Sequence, residues 1–340
     1  MSLMRFFRRP AASASVHPVT DFWEWWSSEG RFLDPSTRSS LTDELAARVA
    51  AIHDGLAWHL SAGTDAEHRL TVSGNGVPEL RPVATRWLRA APRADETWEF
   101  RASQEADPRA LTNTMTIAGR TVDLSATRFR IESHPDELRI SLGVFNPDFD
   151  DLPADAPLQV IFLVLDWLLG EDDVERWIAG VERVDGAGDA TATADDVVDA
   201  VAALRREQDR DEWTLARWDE ESGLHGLASF RRALRWVDHP TLDAHHLLHV
   251  SYSAQGNGLP ADTAELERLR AFESELETRL TGDAMLVAHE SLAGRRTFHV
   301  YTDSEDQNAG EQLTMWAESH GATVEATHDP AWREVRHFTG

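Results

Sequence analysis

Every basic residue of this chain is an arginine, 33 in all, and its 340 residues include neither lysine nor cysteine. Without thiols there is no thiolate-zinc or iron–sulfur centre to organise it, so the fold must rest on an apolar core. The composition permits one: 41% of residues are hydrophobic, with 13 Trp and 13 Phe. The same absences narrow the chemistry. There is no cysteine nucleophile, CxxC pair, Schiff-base lysine or P-loop lysine. That leaves Asp/Glu/His chemistry, an activated Ser or Tyr, or binding without catalysis. With only two tyrosines (Tyr252 and Tyr301), the missing lysine fits the bias of a G+C-rich genome.

The formal net charge is −26. The stretch from Asn146 to Asp199 alone sets fifteen Asp and Glu against Arg176 and Arg183. Such a field repels nucleic-acid phosphates and attracts basic surfaces or cations. Read blandly, it is a solvated surface that maintains solubility. Read sharply, it is a face for a basic partner. Residues 11–19 are too short and polar for a secretory signal, and the longest apolar run, Pro157 to Leu169, is too short for a bilayer and contains Asp166. The expectation is a cytoplasmic protein with no membrane or nucleic-acid partner and no cofactor; a homodimer is a further option.

The length suggests two domains. We read 1–19 as a flexible basic tail, 20–186 as an N-terminal α+β module, 187–194 as a linker rich in Gly, Ala, Thr and Asp, and 195–340 as a C-terminal α+β module. Helices are expected at Asp21 to Trp26, Leu41 to His53 (capped by Thr42), Pro78 to Ala91, Leu158 to Leu169 (buried all round), Val174 to Ile178, Asp195 to Gln208, Thr263 to Leu280 and Gly310 to His320. Between them, strand patterns occupy Leu56 to Ser61, Arg69 to Ser73, Trp98 to Ser103, Thr114 to Ile117, Thr127 to Glu132, Leu138 to Phe145, Trp213 to Trp218, Leu227 to Trp236, His246 to Ser253 and Thr323 to Ala326. Leu286 to Glu290 and Thr297 to Tyr301 read as a hairpin across Ala293-Gly294. Gly74-Asn75-Gly76 and Gly256-Asn257-Gly258 each separate a strand from a helix, which suggests one module duplicated, or chance use of a common turn. Both cases fit mostly antiparallel sheets with helices packed on one face.

Several short motifs carry a resemblance. They are Gly258-Leu259-Pro260, Gly294-Arg295-Arg296-Thr297-Phe298-His299-Val300-Tyr301 and His328-Asp329-Pro330-Ala331-Trp332-Arg333. This C-terminal part is similar to the bacterial domain-of-unknown-function family 695. Asp21-Phe22-Trp23, Asn75-Gly76, Ala90-Ala91-Pro92, Trp98 and Leu165 to Val174 resemble proteins that carry that domain. The family has no assigned activity. By analogy with the ribonuclease E inhibitor family, the regulators of ribonuclease activity B, the resemblance implies an acidic, non-enzymatic chain of two ferredoxin-like modules.

Candidate chemistry is sparse. His245, His246 and His249 sit in a strand pattern, where His245 and His249 would be about 13 Å apart, too far for one metal; partly exposed strand histidines explain them. Asn146-x-Asp148-x-Asp150 opens like a calcium loop but has Asp151 where Gly is needed and Pro157 where Glu is needed. The Gly-Asn-Gly turns precede helices, where anions can bind, but match no phosphate motif. Trp23, Trp25 and Trp26 cannot all point into one core, so an exposed one would mark a rim, a partner or a sugar. The expected function is a non-catalytic protein-binding or regulatory module whose acidic surface, Asp148, Asp150, Asp151, Glu171, Asp172, Asp173 and Glu175, meets a basic protein partner. The alternative is a metal-assisted hydrolase using Asp, Glu and His in a groove between the modules.

Overall fold

The computed structural model describes residues 17–36, 40–208, 213–232, 234–280, 282 and 284–338. The expected tail lies outside these up to residue 16, and the chain is helical from Pro18. His17 caps that helix through Nδ1, which accepts from the Val19 N–H at 3.4 Å. α1 (Pro18–Ser28) and α2 (Ser40–Ile52) share a core with a small sheet. Its strands are β1 (Ala57–Ala62), β2 (His68–Ser73) and, beyond α3 (Arg81–Arg89), β3 (Trp98–Arg101). Thr42 lies inside the first turn of α2 rather than at its cap.

Phe22, Trp23, Trp25 and Trp26 are all buried in this one cluster with Trp87, Trp98 and Phe100. The expectation of an exposed tryptophan is therefore corrected: the rings of Trp23, Trp25 and Trp26 all lie in the core. The helix is enclosed on several sides. Trp23 stacks on Trp87 with ring centroids 4.8 Å apart and donates Nε1–H to the Trp87 carbonyl at 2.8 Å. Gly30 makes room on the other side: a Cβ there would lie 2.8 Å from both the Trp25 and Trp26 rings.

β4 (Thr114–Ile117) and β5 (Arg120–Asp123) form a hairpin, of which the sequence pattern showed only the first strand. A second sheet holds β6 (Arg128–His134), β7 (Arg139–Phe145) and β8 (Ile178–Arg183), with α4 (Ala156–Leu169) and α5 (Glu171–Trp177) crossing from β7 to β8. In both three-stranded sheets a hairpin is followed by a helical crossover to a parallel third strand. α4 is not buried all round. Val160, Ile161, Val164, Leu165 and Leu168 fill the core, while Leu158, Phe162 and Leu163 are exposed.

α6 (Ala194–Gln208) packs Val197, Val201 and Leu204 into this same core. The segment before it, read as linker 187–194, is tied to β6 by a bridge between Phe129 and Ala192, and Ala190 is buried.

The rest of the chain builds one antiparallel sheet of six strands. They are β9 (Trp213–Asp219), β10 (His225–Arg231), β11 (Leu242–Ser251), β12 (Ala284–Leu292), β13 (Arg295–Asp303) and β14 (Thr323–His328), ordered β14-β11-β13-β12-β10-β9. α7 (Thr263–Arg279) follows β11 and α8 (Gln307–Ser319) follows β13, so β11 to β14 run β-α-β-β-α-β. Both helices cover one face. Trp332, Val335 and Phe338 of the C-terminal segment cover the other.

The chain is thus α+β with mostly antiparallel pairing, but two modules of one design are not present. After Gly74-Asn75-Gly76 the helical crossover lands on the adjacent parallel strand. After Gly256-Asn257-Gly258 it lands on β12, with β13 inserted between β11 and β12. The expected ferredoxin-like pattern does not describe the first half, whose parallel pairs it lacks. No helix among the described residues is long and apolar enough to cross a membrane.

Candidate functional site

The seven carboxylates singled out by charge fall into two groups at opposite ends of α4. A helix of that length spans about 21 Å at 1.5 Å per residue. Asp148 accepts the Asp123 N–H at 2.8 Å, and Asp150 pairs with Arg183. Beyond the other end, Glu171 accepts the N–H groups of Gly76 at 2.8 Å and Gln104 at 3.1 Å. The anion bound at the Gly74-Asn75-Gly76 turn is thus the chain's own. Asp172 pairs with Arg81 at 2.7 Å. Asp173 holds Arg176 at 2.6 Å and also meets Arg205. Glu175 accepts the Trp236 indole N–H at 2.9 Å. Asp151 is exposed, and its side chain makes no hydrogen bond or ion pair with a described residue. Asn146 likewise serves structure, donating to the Asp123 carbonyl at 2.8 Å and accepting the Asp148 N–H at 2.9 Å.

The histidines of β11 differ from expectation because both faces of the sheet are covered. His245 and His246 are buried; His249 is partly so. His245 Nε2 lies 3.2 Å from His299 Nδ1, and His246 Nε2 lies 3.0 Å from Thr302 Oγ1. Burial, followed by repulsion from His299, lowers the His245 pKa to about 4, so it is neutral. Among the described residues no group of three or more His, Asp and Glu is arranged to hold a metal.

A different place draws both halves of the chain together. A cavity of 230 Å³ lies between the turn before β7, the end of α5, the segment before β11 and the C-terminal segment. Glu137, Arg139 and Glu175 contribute to its lining from the first half of the chain; Arg235, Trp236, Trp332 and Arg336 contribute from the second. Arg235 is only 6% exposed. It donates to the main-chain carbonyls of Leu234 at 3.4 Å and of Glu137. Arg139 donates to the Glu175 carbonyl at 3.1 Å. Neither guanidinium forms an ion pair with a described carboxylate. Desolvation, reinforced by the neighbouring Arg139, lowers the Arg235 pKa to about 10.

The indole wall is fixed by the Asp329-Pro330-Ala331-Trp332 turn. Asp329 accepts the N–H groups of Arg333 at 2.8 Å and Glu334 at 3.0 Å. Trp332 takes φ +49°, a left-handed conformation rare for so bulky a residue. Its indole N–H donates to the Leu242 carbonyl at 2.7 Å, and its ring stacks on Tyr301 at 4.5 Å. This constellation was missed in the sequence. Its one visible signal was the Asp-Pro-Ala-Trp motif, which carried the family resemblance but suggested no site.

Residues 224–338 match the family of unknown function DUF695. The match includes Arg235, Trp236, Trp332 and Arg336 but not Arg139 or Glu175; the N-terminal pieces read as similar to such proteins also lie outside it. No curated protein and no solved structure matches the chain.

Proposed function

We propose that this chain, with its C-terminal DUF695 segment, is a non-catalytic binding module that takes a small anion into the arginine-lined cavity. The buried Arg235 carries this reading. Other largely buried arginines here find carboxylates: Arg69 meets Glu99 at 2.7 Å, Arg81 meets Asp172 at 2.7 Å and Arg176 meets Asp238 at 2.6 Å. In a chain of net charge −26, a buried guanidinium beside a second one, both hydrogen-bonded only to carbonyls, with Glu137, Glu175 and Asp238 nearby but not in ion-pair contact, is the exception. Burying an unpaired charge costs several kcal/mol. An entering anion offsets that cost, and the planar guanidinium fork suits carboxylate and phosphate oxygens. By comparison, six of the seven carboxylates that would form an acidic docking face already carry internal bonds.

Thermal unfolding in phosphate, sulfate or acetate, against chloride at equal ionic strength, tests the reading. A specific ligand raises the melting temperature with concentration as binding linkage requires. The shift should shrink in Arg139→Met and persist in the Arg205→Met control. Equal melting in all four salts would remove the proposal.

A further inference from the structure

We infer that the ligand is a zwitterion of amino-acid size, its carboxylate held by the arginines and its ammonium group by Glu137 and Glu175. This rests on the anion-binding reading above and narrows it. The cavity wall is not purely basic: three guanidinium groups share it with two carboxylates. A bare phosphate or sulfate is drawn by the arginines but meets those carboxylates as like charge, so it binds more weakly than a molecule that answers both signs.

The carboxylates have capacity to spare. The Glu137 side chain makes no hydrogen bond or ion pair with a described residue; its main chain alone is bonded, the carbonyl by Arg235 and the N–H to the His134 carbonyl at 3.1 Å. Glu175 uses Oε1 for the Trp236 indole, and no described residue bonds its Oε2. At 230 Å³ the cavity is smaller than the about 300–1,000 Å³ typical of drug-sized ligands. Between the charged groups the wall is apolar, made by Leu234, Trp236, Ala331, Trp332 and Val335. That composition suits the side chain of an amino acid. The turn that carries Trp332 is already bonded in place, so little ordering is needed on binding.

Calorimetric titration of the full chain with the twenty protein amino acids tests this. The best of them is then compared with its N-acetyl form, which lacks the ammonium group, and its amide, which lacks the carboxylate. Acetate and phosphate serve as plain anions. The free amino acid should bind at least about tenfold more tightly than either derivative, the worth of one charge-assisted hydrogen bond. Glu137→Gln, which breaks no internal bond, should abolish the preference over the N-acetyl form while the chain stays folded. If acetate or phosphate binds and no amino acid binds better, the zwitterion is wrong and the anion cavity stands. If neither anions nor amino acids bind, both readings fall.

Discussion

Asp243, at the start of β11, meets Arg86 of α3 at 3.0 Å, joining residues 157 positions apart. The Asp243 side chain is 1% exposed and that of Arg86 12%. Asp243 also accepts the Ser304 N–H at 2.9 Å and its hydroxyl at 3.0 Å. Arg86 reaches Asp303 as well, so one guanidinium bridges two buried carboxylates at the junction of the halves, and Arg89 meets Asp303 at 3.8 Å.

Arg86→Met should therefore destabilise the chain by about 3–5 kcal/mol, because it strands buried carboxylates rather than merely deleting a contact. Adding Asp243→Asn should recover part of the loss. Urea denaturation measures both. A loss below about 1 kcal/mol, the range of an exposed ion pair, would mean that water screens this junction.

Tyr301→Phe isolates the bond that steadies the Asp-Pro-Ala-Trp turn. Tyr301 donates its hydroxyl to Asp329 Oδ2 at 2.7 Å, both groups being buried. Burial, and then the negative charge and acceptor role of Asp329, raise the tyrosine pKa, so the hydroxyl keeps its proton. The substitution leaves the ring stack intact and should cost about 1.5–3 kcal/mol, the range for a hydrogen bond to a charged group, since Asp329 Oδ2 keeps the Glu334 N–H. It should also shift tryptophan fluorescence through Trp332. An unchanged melting curve would show that the turn holds without this bond.

Among the groups that titrate between pH 4 and 6.5, two pull stability in opposite directions. Below pH 6.5 the unfolded chain protonates His245 but the folded chain does so only near pH 4, so this histidine removes stability as pH falls through that window. Full loss would be about 3 kcal/mol at 1.36 kcal/mol per pKa unit. Asp166 acts in the other direction. Desolvation and then Glu171 raise its pKa from 3.8 to about 6, so the folded chain takes the proton first and gains stability as pH falls through that range. His245→Gln should make the chain relatively more stable at pH 5 than at pH 7. Asp166→Asn should steepen the loss toward acid. Parallel denaturation profiles for wild type and His245→Gln would contradict the buried neutral histidine.

Much of the fold could be read from local pattern. The stripe through Leu269, Phe272 and Leu276 gave α7 almost to the residue, and all three are buried as its period demands. Ala293-Gly294 marked the β12–β13 hairpin, and both residues take positive φ, 53° and 79°. Pattern failed where distant segments decide. Trp23, Trp25 and Trp26 exceed one helical face, yet α2, α3 and β3 enclose that helix from several directions. β8 is short and interrupted by Gly180, and it exists because β7 offers an open edge. The cavity was illegible for a similar reason. With 33 arginines, nothing local distinguishes Arg139 or Arg235; what sets them apart is the carboxylates they do not meet.

The walls of that cavity have different provenance. Arg235, Trp236 and the Trp332 turn fall inside the segment shared with the family, whereas Glu137, Arg139 and Glu175 belong to the preceding sequence. The shared segment alone would present an open half-site, with an indole wall and no glutamate opposite. Screening an isolated C-terminal fragment would therefore miss a ligand whose ammonium group needs those glutamates.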